Sequence, residues 1–133
     1  MLYRVALAAD TANLISKQPL NNIARLTIGA MACVMAGGQA ILTPCYDEAY
    51  AIPSEESARV SIMIQHILAH ETGIPGVADP LGGSYYMEAL TNECEKKINE
   101  IMDDINKQGG ILELIEKGVI QKQLSRQLYQ KQK

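Results

Sequence analysis

A chain of 133 residues, 47% of them apolar and with a formal net charge of −3, has the composition of a folded globular domain. No stretch approaches the roughly 18 apolar residues of a membrane span, and Met1-Leu-Tyr-Arg-Val5 lacks the shape of a signal peptide, so a cytoplasmic setting without a membrane partner is expected. Mild acidity and the absence of Trp and Phe argue against nucleic acid, since phosphates call for basic patches and bases for stacking platforms.

The first predicted element is a strand, Arg4-Val-Ala-Leu-Ala-Ala9, followed by a helix from about Asn22 to Gly37 with Ile23, Leu26, Ala30 and Val34 on one stripe. Asn21 or Asn22 offers an N-cap, and Gly37-Gly38 a stop. A second strand is expected at Ala40-Ile-Leu-Thr43. A second helix opens at Pro53-Ser54-Glu-Glu56, capped by Ser54 with acids in its first turn, and carries Val60, Met63, Ile64, Ile67 and Leu68 to a stop at Gly73. Gly76-Val-Ala78 reads as a third strand. Beyond Tyr86 a long amphipathic helix carries Leu90, Cys94, Ile98, Ile101 and Ile105, and Gly109-Gly110 breaks it. A short apolar helix of Ile111, Leu112, Leu114 and Ile115 ends at Gly118, and Ile120, Leu124 and Leu128 mark a last one. The basic residues between Lys122 and Lys133 are interleaved with glutamines, as on a solvated helix face.

The order β-α-β-α-β, with nearly all-apolar strands, is that of a parallel sheet covered by crossover helices. The fold class is α/β, read as a partial (β/α)₈ TIM-barrel sector of about three parallel strands with helices over residues 1–87, followed by an all-helical C-terminal segment over residues 88–133; the alternative is a small open doubly wound sheet, which three strands support poorly. Three parallel strands leave two open edges, which predicts association with another chain, a second copy of this one included.

Function in such folds sits at the carboxyl ends of the strands, which here read Asp10-Thr-Ala-Asn13, Pro44-Cys-Tyr-Asp-Glu48 and Asp79-Pro-Leu-Gly-Gly-Ser84. An acid at each end is the pattern of a Mg²⁺ carboxylate cluster, and equally that of acids capping the next helix or holding a turn; the second is the commoner use. Gly82-Gly83 can present backbone N–H groups to an anion or simply make a tight turn. His66 and His70 have metal-ligand spacing, but the order is not H-E-x-x-H, no third ligand is evident, and no metal centre is assigned. Neither histidine has a nucleophile elbow to serve. Cys33, Cys45 and Cys94, odd in number and far apart, read as reduced, mostly buried thiols.

Gln18-Pro-Leu-Asn-Asn-Ile-Ala-Arg25, Gly37-Gly-Gln39, Tyr46-Asp-Glu-Ala49 with Ile52-Pro53, His70-Glu-Thr-Gly73, and Asp79-Pro-Leu-Gly-Gly-Ser-Tyr-Tyr86 with Glu88-Ala-Leu-Thr91 come in the order and near the spacing of the adenosylcobalamin-dependent acyl-CoA mutases. The chain resembles that family, whose type member is methylmalonyl-CoA mutase, from Gln18 through Gly109-Gly110 and Glu116-Lys-Gly118. The resemblance covers the last three strands of the family's substrate barrel and the helical linker beyond. It implies that Gln39 faces the acyl-CoA substrate and that Glu48 and the backbone of Ala49 meet the ribose of the adenosyl group. An amide can hold a thioester or carboxylate, and a carboxylate accepts from a diol.

Two departures accompany the matches: Ala8-Ala-Asp-Thr11 stands where the family usually has Gln-Thr-Ser/Ala-Gly, and Ala40 where a serine usually follows the glutamine. No D-x-H-x-x-G cobalamin-ligating motif is present, nor the upstream strands bearing the family's catalytic tyrosine, arginine and histidine. The resemblance thus implies a fragment or split subunit of a mutase-like isomerase, with no catalytic residue of its own. It would use adenosylcobalamin only in a complex with chains that supply the missing barrel strands and a cobalamin-binding domain. The alternatives are a non-catalytic interaction or assembly protein and a truncated remnant of the barrel.

Overall fold

The computed structural model describes residues 5–131; Arg4, the first residue of the predicted opening strand, and Gln132 and Lys133 of the basic tail lie outside them. In chain order the elements are β1 (Ala6–Ala8), α1 (Asn21–Met35), β2 (Ala40–Leu42), α2 (Glu55–Glu71), a 3₁₀ turn (Ile74–Gly76), α3 (Tyr85–Lys107), α4 (Ile111–Glu116) and α5 (Val119–Lys131). They divide into two units, one ending at Gly82 and the other starting at Gly83. No described helix is long and apolar enough to cross a membrane.

In the first unit β1 and β2 pair in parallel, with Ala6 opposite Ala40, Leu7 opposite Ile41 and Ala8 opposite Leu42. A parallel pair needs a long crossover, and α1 supplies it. Successive side chains on a strand point to opposite faces. Leu7 and Ile41 are half-buried, and Ile41 packs against the helical core, whereas Ala6, Ala8, Ala40 and Leu42 form an exposed apolar face.

The predicted third strand, Gly76–Ala78, does not form. Val77 has strand dihedrals, φ −123° and ψ 126°, yet it pairs with no described strand and is 55% exposed. Extended backbone is a local preference of Val, but a strand also needs a partner ladder, which the local sequence does not carry. Among the described residues the sheet therefore has two strands rather than three.

Leu26 and Ala30 of α1, Ile64 and Leu68 of α2 and Ala9 after β1 make the buried core, with Leu14, Ile23, Met31 and Val60 packed on it. Gly29 lets α1 approach closely, because a Cβ there would stand 3.1 Å from that of Ala9. The helix ends at Gly37, whose φ of 80° is the left-handed conformation glycine tolerates. Gly37 N–H donates to Val34 at 3.0 Å and Gly38 N–H to Cys33 at 3.1 Å, which completes a Schellman stop. The predicted asparagine cap is not made: Leu20 occupies the N-cap position with no side-chain bond, because Asn22 is buried and committed elsewhere. The Ser54 cap does form, as a reciprocal box in which the Ser54 and Ser57 hydroxyls accept from each other's backbone N–H.

The second unit is helical throughout. Ser84 caps α3, Gly109 and Gly110 (φ 102° and 90°) turn the chain into α4, and Gly118 (φ 69°) turns it into α5. Leu114 of α4 is the residue buried here; α3 buries none. The thiols are accordingly less covered than predicted: Cys33 and Cys45 are half-buried, and Cys94, on the α3 stripe, is exposed.

Candidate functional site

Asp10, Asp47 and Asp79, one acid after each predicted strand, are each used locally. Asp10, after β1, accepts from Ala12 N–H at 2.9 Å and from Asn13 Nδ2 at 2.8 Å, closing its own loop. Asp47, after β2, accepts from Ser54 N–H at 3.1 Å and so ties the β2–α2 connection to the start of α2. The Asp79 carboxylate lies over Gly82, where an added Cβ would meet Asp79 Oδ2 at 2.6 Å, and Asp79 C=O accepts from Gly82 N–H at 3.3 Å. Among the described residues no three His, Cys, Asp or Glu side chains converge as metal ligands. The N–H of Gly83 is also taken, by the chain's own Glu88 carboxylate at 3.1 Å, so this slot at the head of α3 is filled from within.

Glu48 and Ala49 lie together in the turn that follows the carboxyl end of β2, both exposed. The turn is held from two sides. Asn22, fully buried, donates through Nδ2 to Tyr46 C=O and to Ile15 C=O, each at 2.9 Å; its Oδ1 accepts from Ile15 N–H at 3.2 Å and from Arg25 Nη1 at 3.0 Å. One amide side chain thus joins the loops after both strands. On the other side Asp47, 5% exposed, anchors the turn to Ser54. Burial pushes the Asp47 pKa up, but hydrogen bonds from Ser57 and Ser54 outweigh it and hold the carboxyl below its ordinary 3.8. Burial first, and the negative fields of Glu56, Tyr50 and Asp47 next, hold the Tyr46 phenol above its ordinary 10.0. Thr43, whose C=O accepts from the Ser61 hydroxyl, is also buried, and its Oγ1 and Asp47 Oδ1 meet no partner among the described residues. Between these anchors the Glu48 carboxylate and the Ala49 N–H are uncommitted, making no hydrogen bond to any described residue. An exposed acceptor beside an exposed donor suits a vicinal diol.

Gln39 is placed at the other end of β2. It is exposed, its N–H donates to Val5 C=O at 3.0 Å, and by strand alternation it shares the face of Ile41. With Gly38, Gln65, His66 and His70 it borders an open groove of about 430 Å³ floored by Ala30, Val34 and Leu68. The structure therefore brings Glu48 and Ala49 together and leaves Gln39 apart from them, separated by the length of the strand. At about 3.3 Å per residue, Gln39 to Thr43 alone spans roughly 13 Å. The clamp residue Asn22 was missed as a site element, because an Asn before an apolar stripe signals a helix cap equally well.

A parallel βαβ unit with one bare apolar sheet face, followed by helices, defines an α/β protein. The model of the family "Methylmalonyl-CoA mutase" matches residues 1–133, and the chain belongs to that family. It is 46% identical over 114 residues to the 2-hydroxyisobutanoyl-CoA mutase large subunit of Aquincola tertiaricarbonis, covering 86% of this chain and 20% of that protein. It is 38% identical over 119 residues to the methylmalonyl-CoA mutase of Rhizobium meliloti (strain 1021), covering 90% and 17%. Against the mitochondrial methylmalonyl-CoA mutase of Bos taurus it is 42% identical over 107 residues, covering 80% and 14%. The chain thus spans a fifth or less of the length of these relatives.

Proposed function

We propose that this chain is a sector of an acyl-CoA mutase barrel: β1, β2 and their helices form part of the wall around an acyl-CoA and an adenosyl group, completed by barrel strands from elsewhere in the same polypeptide or from another chain. The observation that carries the reading is the family match over residues 1–133 together with the small share, 14–20%, of each relative's length that it covers. The bare face of Ala6, Ala8, Ala40 and Leu42 supports it, since parallel sheets are normally covered on both faces and a closed barrel covers the inner one with its own opposite wall.

Glu48 and Ala49, beyond the carboxyl end of β2, suit the ribose, whereas Gln39, at the other end of β2 and on the helix-facing side with Ile41, would meet the acyl-CoA only where that ligand passes the amino end of the strand. The residues present fit adenosylcobalamin to that extent, because the Glu48 carboxylate and Ala49 N–H are free to accept from and donate to a diol. When bound, the cofactor supplies the radical chemistry of the isomerisation. Asn22 and Asp47 fix the turn that presents the diol-binding pair. The bare sheet face, small and apolar, admits the chain-like part of an acyl-CoA without competing hydrogen bonds.

A chimera tests this: residues 5–131 replace the matching segment of the Aquincola 2-hydroxyisobutanoyl-CoA mutase large subunit, and isomerase turnover is assayed with adenosylcobalamin. The chimera is expected to turn over. Within it, Gln39→Ala is expected to weaken acyl-CoA use and Glu48→Ala adenosylcobalamin use, each by about 1–3 kcal/mol where a buried polar partner is left unpaired. A folded chimera that binds neither ligand would refute the reading. It would leave the second one, a non-catalytic docking protein, which the exposed apolar stripe of α3 favours.

A further inference from the structure

The face of α2 opposite its core contacts carries a feature that the mutase reading does not use. Ser57, Ser61, Ile64 and Leu68 are buried, whereas His66 and His70 are both exposed. Residues four apart on a helix lie one above the other. The two imidazoles are indeed stacked, with ring centroids 5.8 Å apart and planes 16° from parallel.

We propose that His66 and His70 form a two-point chelate for a divalent, nitrogen-seeking transition ion of the Zn²⁺, Ni²⁺ or Cu²⁺ class. With metal–nitrogen bonds near 2.0–2.1 Å, two imidazoles on one tetrahedral ion have centroids about 5 Å apart. The two rings lie within reach of one ion, but their near-parallel planes do not aim the in-plane nitrogen lone pairs at a common point, so chelation turns the exposed rings about their side-chain bonds while the helix backbone stays in place. Imidazole suits these ions, and the usual order of affinity places Cu²⁺ first among them. No third His, Cys, Asp or Glu joins the pair among the described residues, which sets the site apart from a closed four-ligand structural zinc centre. Solvent completes the coordination. The groove that both rings border, with Gln39 and Gln65 on its rim, has room for that water or for a small exchangeable ligand. An ion bridging the two histidines also ties successive turns of α2, so occupancy stabilises this helix and with it the first unit.

The test uses the full chain without any affinity tag, titrated with ZnCl₂ and NiCl₂ by isothermal calorimetry in a non-coordinating buffer, with melting followed in parallel. One ion per chain and a melting temperature that rises with the ion are expected. His66→Ala and His70→Ala should each weaken binding at least tenfold and remove the melting shift. Both rings are exposed, so the variants should fold, and far-ultraviolet dichroism confirms it. The combination of His70→Ala with Ile67→His keeps two histidines but moves one off the shared face, and it should bind as weakly as the single variants. Equal affinity of wild type and this shifted pair would overturn the proposal. So would binding that survives both histidine substitutions but disappears on Cys33→Ser, Cys45→Ser and Cys94→Ser, which would assign the ion to the thiols. None of these readouts depends on mutase activity, so failure here leaves the mutase reading standing, and success does not establish it.

Discussion

Helix α1, of 15 residues, holds Leu26 at 1% and Ala30 at 0% exposure, whereas α3, of 23 residues, buries nothing and leaves Ile98 at 56% and Ile101 at 61%. Both carry apolar residues at helical spacing. In the first unit that stripe meets β1, β2 and α2; in the second the corresponding stripe meets too little to be covered. Periodicity determines that a helix can form and which face it offers, but burial needs a partner surface, and that depends on chain elsewhere. A helix of this length persists on propensity, its Ser84 cap and i,i+4 pairs such as Glu93–Lys97 at 3.3 Å, while its apolar face stays available.

The largest expected effect lies where α1 is buried. Leu26→Ala removes a side chain packed among Ala30, Ile64 and Leu68 and should cost about 2–5 kcal/mol, the range for large-to-small changes in cores. Hydrogen exchange, which resolves the two units, is the measurement: α1 and α2 amides should lose protection while α3 amides do not change. Equal loss in both units would mean that they fold as one, and the contrast between them would vanish.

Next comes the acid limb of stability. The folded-state pKa of Asp47 is depressed, so its contribution is fully present above the unfolded value of about 3.9 and is lost as pH falls below it through the folded value. The first unit should therefore lose protection below about pH 4, and Asp47→Asn should flatten that limb while lowering stability at pH 7. An unchanged pH profile in the variant would show that the Ser54 and Ser57 bonds do not favour the charged form.

These two effects mark what was legible in the sequence. The stripe of Ile23, Leu26 and Ala30, the Ser54 cap and the stops at Gly37, Gly73 and Gly109-Gly110 are local signals, and the structure bears them out. The third strand was not legible, because Val77 has the backbone of a strand without the partner, and pairing is a non-local property. Asn22 was misread for a related reason. Its sequence neighbourhood signals a cap, but its amide is spent on Ile15 and Tyr46, the latter 24 residues away. At the candidate site, Glu48 and Ala49 are neighbours in the chain, and the predicted strand Ala40–Thr43 already put Gln39 at its head and Glu48 beyond its end; what the sequence did not show is that Gln39 shares the helix-facing side with Ile41.

The capping serines sharpen the comparison at smaller scale. Ser54 accepts from Ser57 N–H at 3.1 Å within a reciprocal box, whereas Ser84 accepts from Met87 N–H at 3.5 Å with no reciprocal partner. Ser54→Ala should cost about 1 kcal/mol, and Ser84→Ala at most about 0.5 kcal/mol, the lower end for caps. Thermal or urea unfolding of both variants checks the ratio, and a larger loss at Ser84 would mean that α3 depends on its cap more than α2 does.

The smallest effect is expected on the α3 stripe itself. Ile101→Ala removes a side chain that is 61% exposed, so the unfolding free energy of the isolated chain should change by less than about 0.5 kcal/mol, as for surface substitutions that touch nothing buried. Alanine is also the better helix former, so the sign can be slightly favourable. The same substitution becomes informative once the missing barrel is present. If the rest of a mutase covers this stripe, Ile101→Ala in the chimera should cost about 2–5 kcal/mol, the value for a buried aliphatic side chain. The difference between the two backgrounds then measures the burial that assembly adds. A near-zero effect in both would show that the stripe remains bare in the complete protein, and the partner implied by its periodicity would have to be sought outside the mutase.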